Sequence, residues 1–384
     1  MILTLADDLS GAAELAEIAA SKGLRAQVAT EIPECVSVDF LAIDTQTRPD
    51  SPATAALKTK NIIEQAKRFH PTWFYKKTDS ALRGNIFQET EAMAASLGKD
   101  HVLFIPANPA LGRCIRDGHY WVGDLPLNQS IFGQDPQNPI QSSEVSQELG
   151  IPPEAILQTS TADENARRQA WTIPDISSEA DIATHAKGVS PQTLPAGAGA
   201  FFRSLLTEKL PPSTPPSNTP TKVELPLLWL CGSAAAWQLG AKSLASQNDF
   251  HIYSLQEKDC WVKKVCTSLR GRKGTMMAIG SPEHGSHASR QSLAEVYLDA
   301  LIDSASAVIE SAAPRDILIE GGATASALFK RMKWKQFESI PCYLSGLACL
   351  RPINTPCENR LFVKPGSYPW PETLWNHSSL SGGT

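Results

Sequence analysis

An α/β fold of two domains, each a mostly parallel sheet flanked by helices, is what the amino-acid sequence predicts. Short apolar runs of strand length alternate with helical patterns. Run after run ends in a polar or glycine-bearing cluster. A proline-rich stretch, LPPSTPPSNTP, separates two such series, and its five prolines with Ser, Thr and Asn hold neither a helix nor a sheet interior. The expected organisation is 1–208, a linker at 209–223, and 224–384, each larger part long enough for its own core.

The opening stretch, MILTLADDLSGAAELAE, sets the pattern. Ile2 to Ala6 read as a strand, Asp7 and Asp8 as a polar turn, and Leu15, Ile18 and Ala19 recur at helical spacing. Ligands in such folds bind at the carboxyl ends of the strands. Two adjacent carboxylates there repel each other, and a cation, a proton or a polyhydroxy ligand relieves them. The alternative is that Asp8 or Ser10 merely caps the helix. Strands follow at 25–30 (RAQVAT) and 38–44 (VDFLAID), the second ending in Asp44 and Thr45 with Arg48 just beyond.

A helix over 53–69 offers Ala56, Ile63, Ala66 and Phe69 to a core. Trp73-Phe74-Tyr75 is the next strand, running into KKTDSALRGN at 76–85 and a helix from Ile86 to Leu97. The strand HVLFI then leads to the turn between Pro106 and Arg113. Residues 116–128 read as a hairpin turning at Val122-Gly123-Asp124, and 134–149 as a flap-like excursion over the site. The pattern over 151–190 is weakly α/β. In LPAGAGA the glycines mark a tight helix start, not a dinucleotide fingerprint, because Phe202 stands where the third glycine would.

Four strand ends in this half carry charge or amide groups: Asp7/Asp8, Asp44, Lys77/Asp79/Arg83 and Asn108/Arg113. In a parallel sheet they converge on one edge. Both signs are present, which suits an anionic, hydroxyl-rich small molecule: Arg forks onto a carboxylate and Asp accepts from hydroxyls. In the second half the strand ends carry glycine instead: Gly232-Ser233, Gly280 through Ser286, Gly321-Gly322-Ala323-Thr324, and Lys364-Pro365-Gly366. Close backbone approach plus a helix N-terminus suits phosphate, and a plain tight strand-to-helix turn is the alternative.

Composition excludes other classes. A net charge of −5 gives no reason to expect a nucleic-acid or membrane partner, and the apolar runs are too short to span a bilayer. Asp7 interrupts any leader-like core, and eight cysteines without a C-x-x-C pair argue against zinc and disulfide scaffolds, so a cytoplasmic protein is expected. There is no G-x-x-x-x-G-K-[ST], H-E-x-x-H or G-x-S-x-G. His284 and His287 sit in a Gly- and Ser-rich stretch that reads as a loop, not a metal site.

Taken together these motifs resemble the four-carbon acid sugar kinases, bacterial enzymes that phosphorylate D-threonate, D-erythronate or 3-oxo-tetronates with ATP. The resemblance rests on Ala6 through Ala12 (ADDLSGA), Lys77 through Asn85 (KTDSALRGN), Pro106-Ala107-Asn108-Pro109 through Gly112-Arg113, Asp117-Gly118, and Asp135-Pro136 through Ser142. In the second half it rests on Gly232-Ser233, Gly321 through Thr324, and Lys364-Pro365-Gly366. It implies that the first domain binds the sugar acid and the second binds ATP, with Mg²⁺-assisted transfer to a terminal hydroxyl in the cleft between them.

Carried over residue by residue, Asp8 would orient the attacking hydroxyl and Arg83 would hold the substrate carboxylate, with Asp7, Lys77, Asp79 and Arg113 beside them. Ser233, Gly321, Gly322, Ala323, Thr324 and Gly366 would line the nucleotide site. No Mg²⁺ ligand is assigned, and a homo-oligomer is left open. The departures lie mostly in the second half: Ala323 where the family commonly has an acid, Ser367-Tyr368-Pro369-Trp370 in place of a Gly-x-Phe-Gly turn, and Ala234-Ala235-Ala236 where hydroxyl residues are frequent. Ala81 replaces a usual Thr. The alternative function is a sugar-acid-binding protein with weakened or lost kinase activity. A dehydrogenase lacks its G-x-G-x-x-G.

Overall fold

Each apolar run of the first half becomes a strand that leads into its polar cluster, and the run at 73–75 extends through Lys76 and Lys77 before it ends. The computed structural model describes residues 1–133, 139–156, 170–210, 220–232, 236–237, 241–254, 261–280, 287–344, 346–356, 358–365, 368 and 370–375. Ser233, Gly366, Asp135-Pro136, His284 and positions 211–219 of the linker lie outside the described residues. The chain divides into two compact units, Met1–Arg25 with Ala29–Thr214, and Ala26–Val28 with Pro215–Thr384.

In the first unit, strands β1 (Ile2–Ala6), β3 (Phe40–Asp44), β4 (Trp73–Lys77), β5 (His101–Ile105), β9 (Ala170–Thr172) and β10 (Thr193–Gly197) form an all-parallel array ordered β3-β1-β4-β10-β5-β9. The short strand β2 (Ala26–Ala29) precedes β3. Helices α1 (Leu9–Ser21), α2 (Pro52–Ala66), α3 (Ile86–Leu97), α5 (Glu179–Lys187) and α6 (Gly199–Lys209) cover the sheet, and α4 (Val145–Leu149) follows the excursion.

Successive strand residues face opposite sides, and β4 shows which helices lie where. Lys76 pairs with Glu89 of α3 at 2.8 Å, whereas Lys77 meets Glu14 of α1 at 3.4 Å. The helix read at 53–69 buries Ala55, Thr59, Ile63 and Ala66. That stripe is one residue out of phase with Ala56, and Phe69 falls in a 3₁₀ turn at the helix end. The core of the unit is aromatic: Phe202 stands 5.4 Å from Phe40 and 5.1 Å from Tyr75, whose hydroxyl donates to Ala198 O at 2.7 Å.

The stretch read as one hairpin is a three-stranded meander of β6 (Arg113–Arg116), β7 (His119–Val122) and β8 (Leu125–Pro126). Asp117 at φ 51° and Gly118 at φ 74° make the first turn, ahead of the turn at Gly123. An Asp-Gly pair supplies left-handed backbone as readily as the later glycine does.

The second unit is parallel over β12 (His251–Ser254), β13 (Gly274–Ala278), β11 (Leu227–Cys231), β14 (Asp316–Glu320) and β17 (Arg360–Lys364). It continues antiparallel through β16 (Ala348–Pro352) to β15 (Gln336–Ile340). Its helices are α7 (Lys242–Gln247), α8 (Trp261–Arg270), α9 (His287–Ala312) and α10 (Gly322–Met332). Trp229 anchors the core with Phe250, Trp370 and Trp375 at 5.3–5.5 Å. Among the described residues no helix is long and apolar enough to cross a membrane.

The end of β10 depends on glycine. Gly197 has φ 146°, and a β-carbon there would collide with the carbonyl of Ile105 on the neighbouring strand. Gly197→Ala is therefore expected to cost about 1–3 kcal/mol of unfolding free energy, read as a lower urea midpoint. An unchanged midpoint would show that the strands can part without loss.

Candidate functional site

The parallel register aligns the strand ends of the first unit. Ala6 is opposite both Asp44 and Lys77, and Gly197 is opposite both Lys77 and Ile105, so the residues that follow emerge along one edge. Asp7 and Asp8 leave β1, the segment 45–50 leaves β3, and Thr78 through Asn85 leave β4.

Arg48 connects them. Its Nε donates to Asp7 Oδ2 at 2.7 Å, Nη1 lies 3.1 Å from Asp8 Oδ2, and Nη2 lies 3.6 Å from Asp79 Oδ1. Three carboxylates from two strand ends thus share one guanidinium brought by the turn after a third strand. The turn is itself held in place. Thr45 Oγ1 donates to Ala6 O at 2.9 Å, and Asn85 Nδ2 donates to Thr47 O and Asp50 O at 3.0 and 2.9 Å. Gly84, at φ 90°, packs against Arg48, and a β-carbon there would lie 3.1 Å from Arg48 Cγ.

Asp8 both caps α1 and joins the charge cluster. Oδ1 accepts from Gly11 N at 2.9 Å, and Oδ2 accepts from Ser10 Oγ at 2.6 Å beside Arg48. Burial raises its pKa, but Arg48, Lys77 and the hydrogen bonds from Ser10 and Gly11 outweigh this and hold it below the ordinary aspartate value. Asp79 is buried too, yet Arg48, Arg83 and Lys77 keep it far below the usual carboxylate range. Its Oδ2 accepts from Ala81 N and Arg83 Nε at 3.1 and 2.8 Å, and its Oδ1 from Arg83 Nη2 at 2.9 Å. The Arg83 fork expected to meet a ligand carboxylate therefore lies bidentate on Asp79 in this structure. Arg113 Nη1 donates to Ser80 Oγ at 2.5 Å.

Lys77 is buried, and Glu14, Asp8, Asp7 and Asp79 together overcome that burial to raise its pKa. Its Nζ donates to Thr78 O at 3.0 Å. Asp7, Asp8, Lys77, Asp79 and Arg83 therefore fall in one connected cluster, and Arg113 joins through Ser80, the residue after Asp79. Sequence reasoning left Arg48 and Glu14 outside this set. Arg48 stands in the sequence just beyond the strand end at Asp44 and Thr45, and that place is the usable signal. Glu14 lies one helical turn from Gly11, in a helix rich in buried Ala and Leu, where an acid needs a partner.

Asp44 differs from the others. It is 2% exposed, Oδ1 accepts from Gln46 N at 3.1 Å, and Oδ2 is buried without a hydrogen-bond partner. Burial first, then the carboxylates of Asp8 and Asp7, push its pKa up to about 8. Its proton affinity is raised where that of Asp8 is lowered.

In the second unit, Gly321, at φ 88°, is the N-cap of α10 and has no side chain with which to cap the first-turn N–H groups. Gly322, Ala323 and Thr324 form that first turn. Thr324 is buried against Gly232, where a β-carbon would collide with its hydroxyl. Beneath the turn Glu320 and Lys364 pair at 2.6 Å, and Trp370 Nε1 donates to Glu320 Oε2 at 2.5 Å. An uncapped helix start on glycine fits phosphate oxygens. Among the described residues no group of three or more His, Cys, Asp or Glu gathers as a metal site.

Residues 2–205 match a family model described as the sugar-binding N-terminal domain. A D-threonate kinase of Bordetella bronchiseptica is 30% identical over 216 residues, 52% of this chain and 53% of that protein. A D-erythronate kinase of Heliobacterium modesticaldum is 28% identical over 234 residues, 55% of this chain and 53% of that protein. The matches thus span about half the length of these relatives. A crystal structure of a Haemophilus influenzae protein shares the fold, with a TM-score of 0.70 at 18% identity over 97% of this chain and 98% of that one.

The state of Asp44 sets a pH dependence. Its folded pKa of about 8 lies above its ordinary 3.8, so between these values the folded protein holds a proton that the unfolded chain has lost. Its contribution is fully present below about pH 4 and declines by about 1.4 kcal/mol per pH unit until about pH 8. Asp44→Asn is expected to leave stability near wild type at pH 4 and to raise it progressively toward pH 8, followed by urea denaturation. A constant difference across that range would show that Asp44 does not change its proton affinity on folding.

Proposed function

Because the chain belongs to the four-carbon acid sugar kinase family, with residues 2–205 as its sugar-binding N-terminal domain, we propose that it phosphorylates a terminal hydroxyl of a small sugar acid with ATP. The observation that carries the reading is the state of Asp8. Its side chain is 22% exposed, against 3% for Asp7 and 11% for Asp79. Among these carboxylates it has the widest opening to a ligand, and it is held ionised by Arg48. An ionised, fixed carboxylate accepts a hydrogen bond from a hydroxyl and so orients it for attack.

Phosphoryl transfer asks the protein mainly for positioning and charge compensation. Arg83 and Arg113 supply cationic groups near the strand edge for the acid's carboxylate. Lys77, beside Asp8 and Glu14, adds positive charge without reaching solvent freely. In the second unit the start of α10 from Gly321 to Thr324 would hold the nucleotide's phosphates through backbone N–H groups, and the family resemblance assigns Ser233 and Gly366 to the same nucleotide. Bound ATP supplies the transferable phosphoryl group and Mg²⁺ shields its charge. The absence of an acid at Ala323 leaves the second reading, a sugar-acid binder without turnover, as the competing outcome.

A coupled ADP-release assay with Mg-ATP, run against D-threonate, D-erythronate and the 3-oxo-tetronates, tests the proposal. Turnover of one member is expected, and Arg83→Ala should raise KM for it by about ten- to a hundredfold with a smaller change in kcat. ADP release from none of the acids, with calorimetric binding of an acid but not of ADP, would contradict the kinase and favour the binding protein.

A further inference from the structure

One aromatic side chain touches both arginines of the site. The Phe132 ring centroid lies 5.6 Å from the Arg83 guanidinium carbon and 5.1 Å from that of Arg113. The two guanidiniums come together because their anchors are consecutive: Arg83 lies on Asp79, and Arg113 on Ser80. Like charges at such separation repel, and the negative face of an aromatic ring offsets part of that repulsion.

The loop that presents the ring is tightly fixed. Ser130 N and Oγ both donate to Leu127 O, at 3.1 and 2.6 Å. Phe132 N donates to Ser130 Oγ at 3.3 Å, and Gly133 N donates to Ser130 O at 3.1 Å. Gly133 lies so close to the Asn128 carbonyl that a β-carbon would collide with it. Phe132 itself is 5% exposed, while the neighbouring Ile131 is 72% exposed, so the chain turns the aromatic residue inward and the aliphatic one out. A ring only filling space would be equally served by an aliphatic side chain. Two cations at one ring give an aromatic residue a specific role.

We infer that Phe132 is the positioning residue that holds Arg83 and Arg113 together as the receptor for the sugar acid's carboxylate. This rests on the sugar-acid reading above. The ring makes no contact with the reacting hydroxyl; it acts through the two guanidiniums, fixing their planes and lowering the cost of pairing them. Binding of an acid therefore depends on the electronic character of residue 132 as well as on its shape.

Titration calorimetry of the full chain with D-threonate, D-erythronate and the 3-oxo-tetronates, without nucleotide, tests this. Two variants are compared with wild type: Phe132→Leu, and replacement of Phe132 by pentafluorophenylalanine, which keeps the shape but reverses the ring quadrupole. Both are expected to raise the Kd of the bound acid about 5- to 30-fold. The fluorinated ring should do so while keeping the shape of phenylalanine, a response that a purely packing role would not produce. A Kd within about twofold of wild type for the fluorinated protein would overturn the inference and leave the kinase reading intact. Weakened acid binding in a wild-type background that never turns over would support the inference and remove the kinase. A wild-type protein that binds none of these acids would remove both.

Discussion

A single guanidinium shared by Asp7, Asp8 and Asp79 is the interaction on which the strand-end site depends. A parallel sheet brings the residues after its strands to one edge whatever their charge, and here it brings several acids. Their mutual repulsion at low dielectric is large, and burial adds to it. Arg48 turns that liability into order. It gives each carboxylate a different face of one planar fork, with Nε, Nη1 and Nη2 each turned to a different residue. A lysine could not do this, because a point charge on a flexible stem has no fork geometry to distribute.

The remaining groups sort themselves around that arrangement by proton affinity. Arg48 holds the carboxyls of Asp8 and Asp79 below the ordinary aspartate range, whereas at Asp44 burial and like charge outweigh the hydrogen bond from Gln46 and raise the proton affinity. Lys77 stays charged because four acids lie around it. The cluster thereby combines buried carboxylates, a shared guanidinium, a buried ammonium and one acid, Asp44, whose proton affinity is raised. Such an arrangement requires close backbone approach. Gly11 is one condition for it, since a β-carbon there would lie 2.9 Å from Asp8 Oδ1 and 3.2 Å from Lys77 Nζ.

Much of this was legible in the residues. The apolar runs ending at Ala6, Ile43 and Ile105 mark the ends of strands β1, β3 and β5 to within a residue, because a strand buried on both faces reads as a continuous apolar run, while β4 continues past Tyr75 through Lys76 and Lys77, which find acidic partners on the helices. The gathering of Asp7, Asp8, Lys77, Asp79 and Arg83 follows from that alone. The pairings do not. Whether Arg83 faces a ligand or Asp79 is decided by local turn geometry, and a residue four positions away is always a candidate partner. Arg48 escaped because an arginine in a turn is usually solvated, and Phe132 because nothing in the spacing of β8 and the loop after it says which residue faces inward. In the second unit the antiparallel strands β15 and β16 escaped because Gln336–Ile340 is polar at alternate positions and lacks a glycine-bearing end.

A double-mutant cycle between Arg48 and Asp7, read by urea denaturation at pH 7, tests the central claim most directly. If Arg48 is the shared counter-charge, Arg48→Met should cost about 3–5 kcal/mol. Adding Asp7→Asn should then recover part of that loss, because it removes one of the carboxylates left uncompensated. A small cost for Arg48→Met, or losses that simply add when Asp7→Asn is combined with it, would contradict the claim and leave the three acids to be stabilised by their other partners.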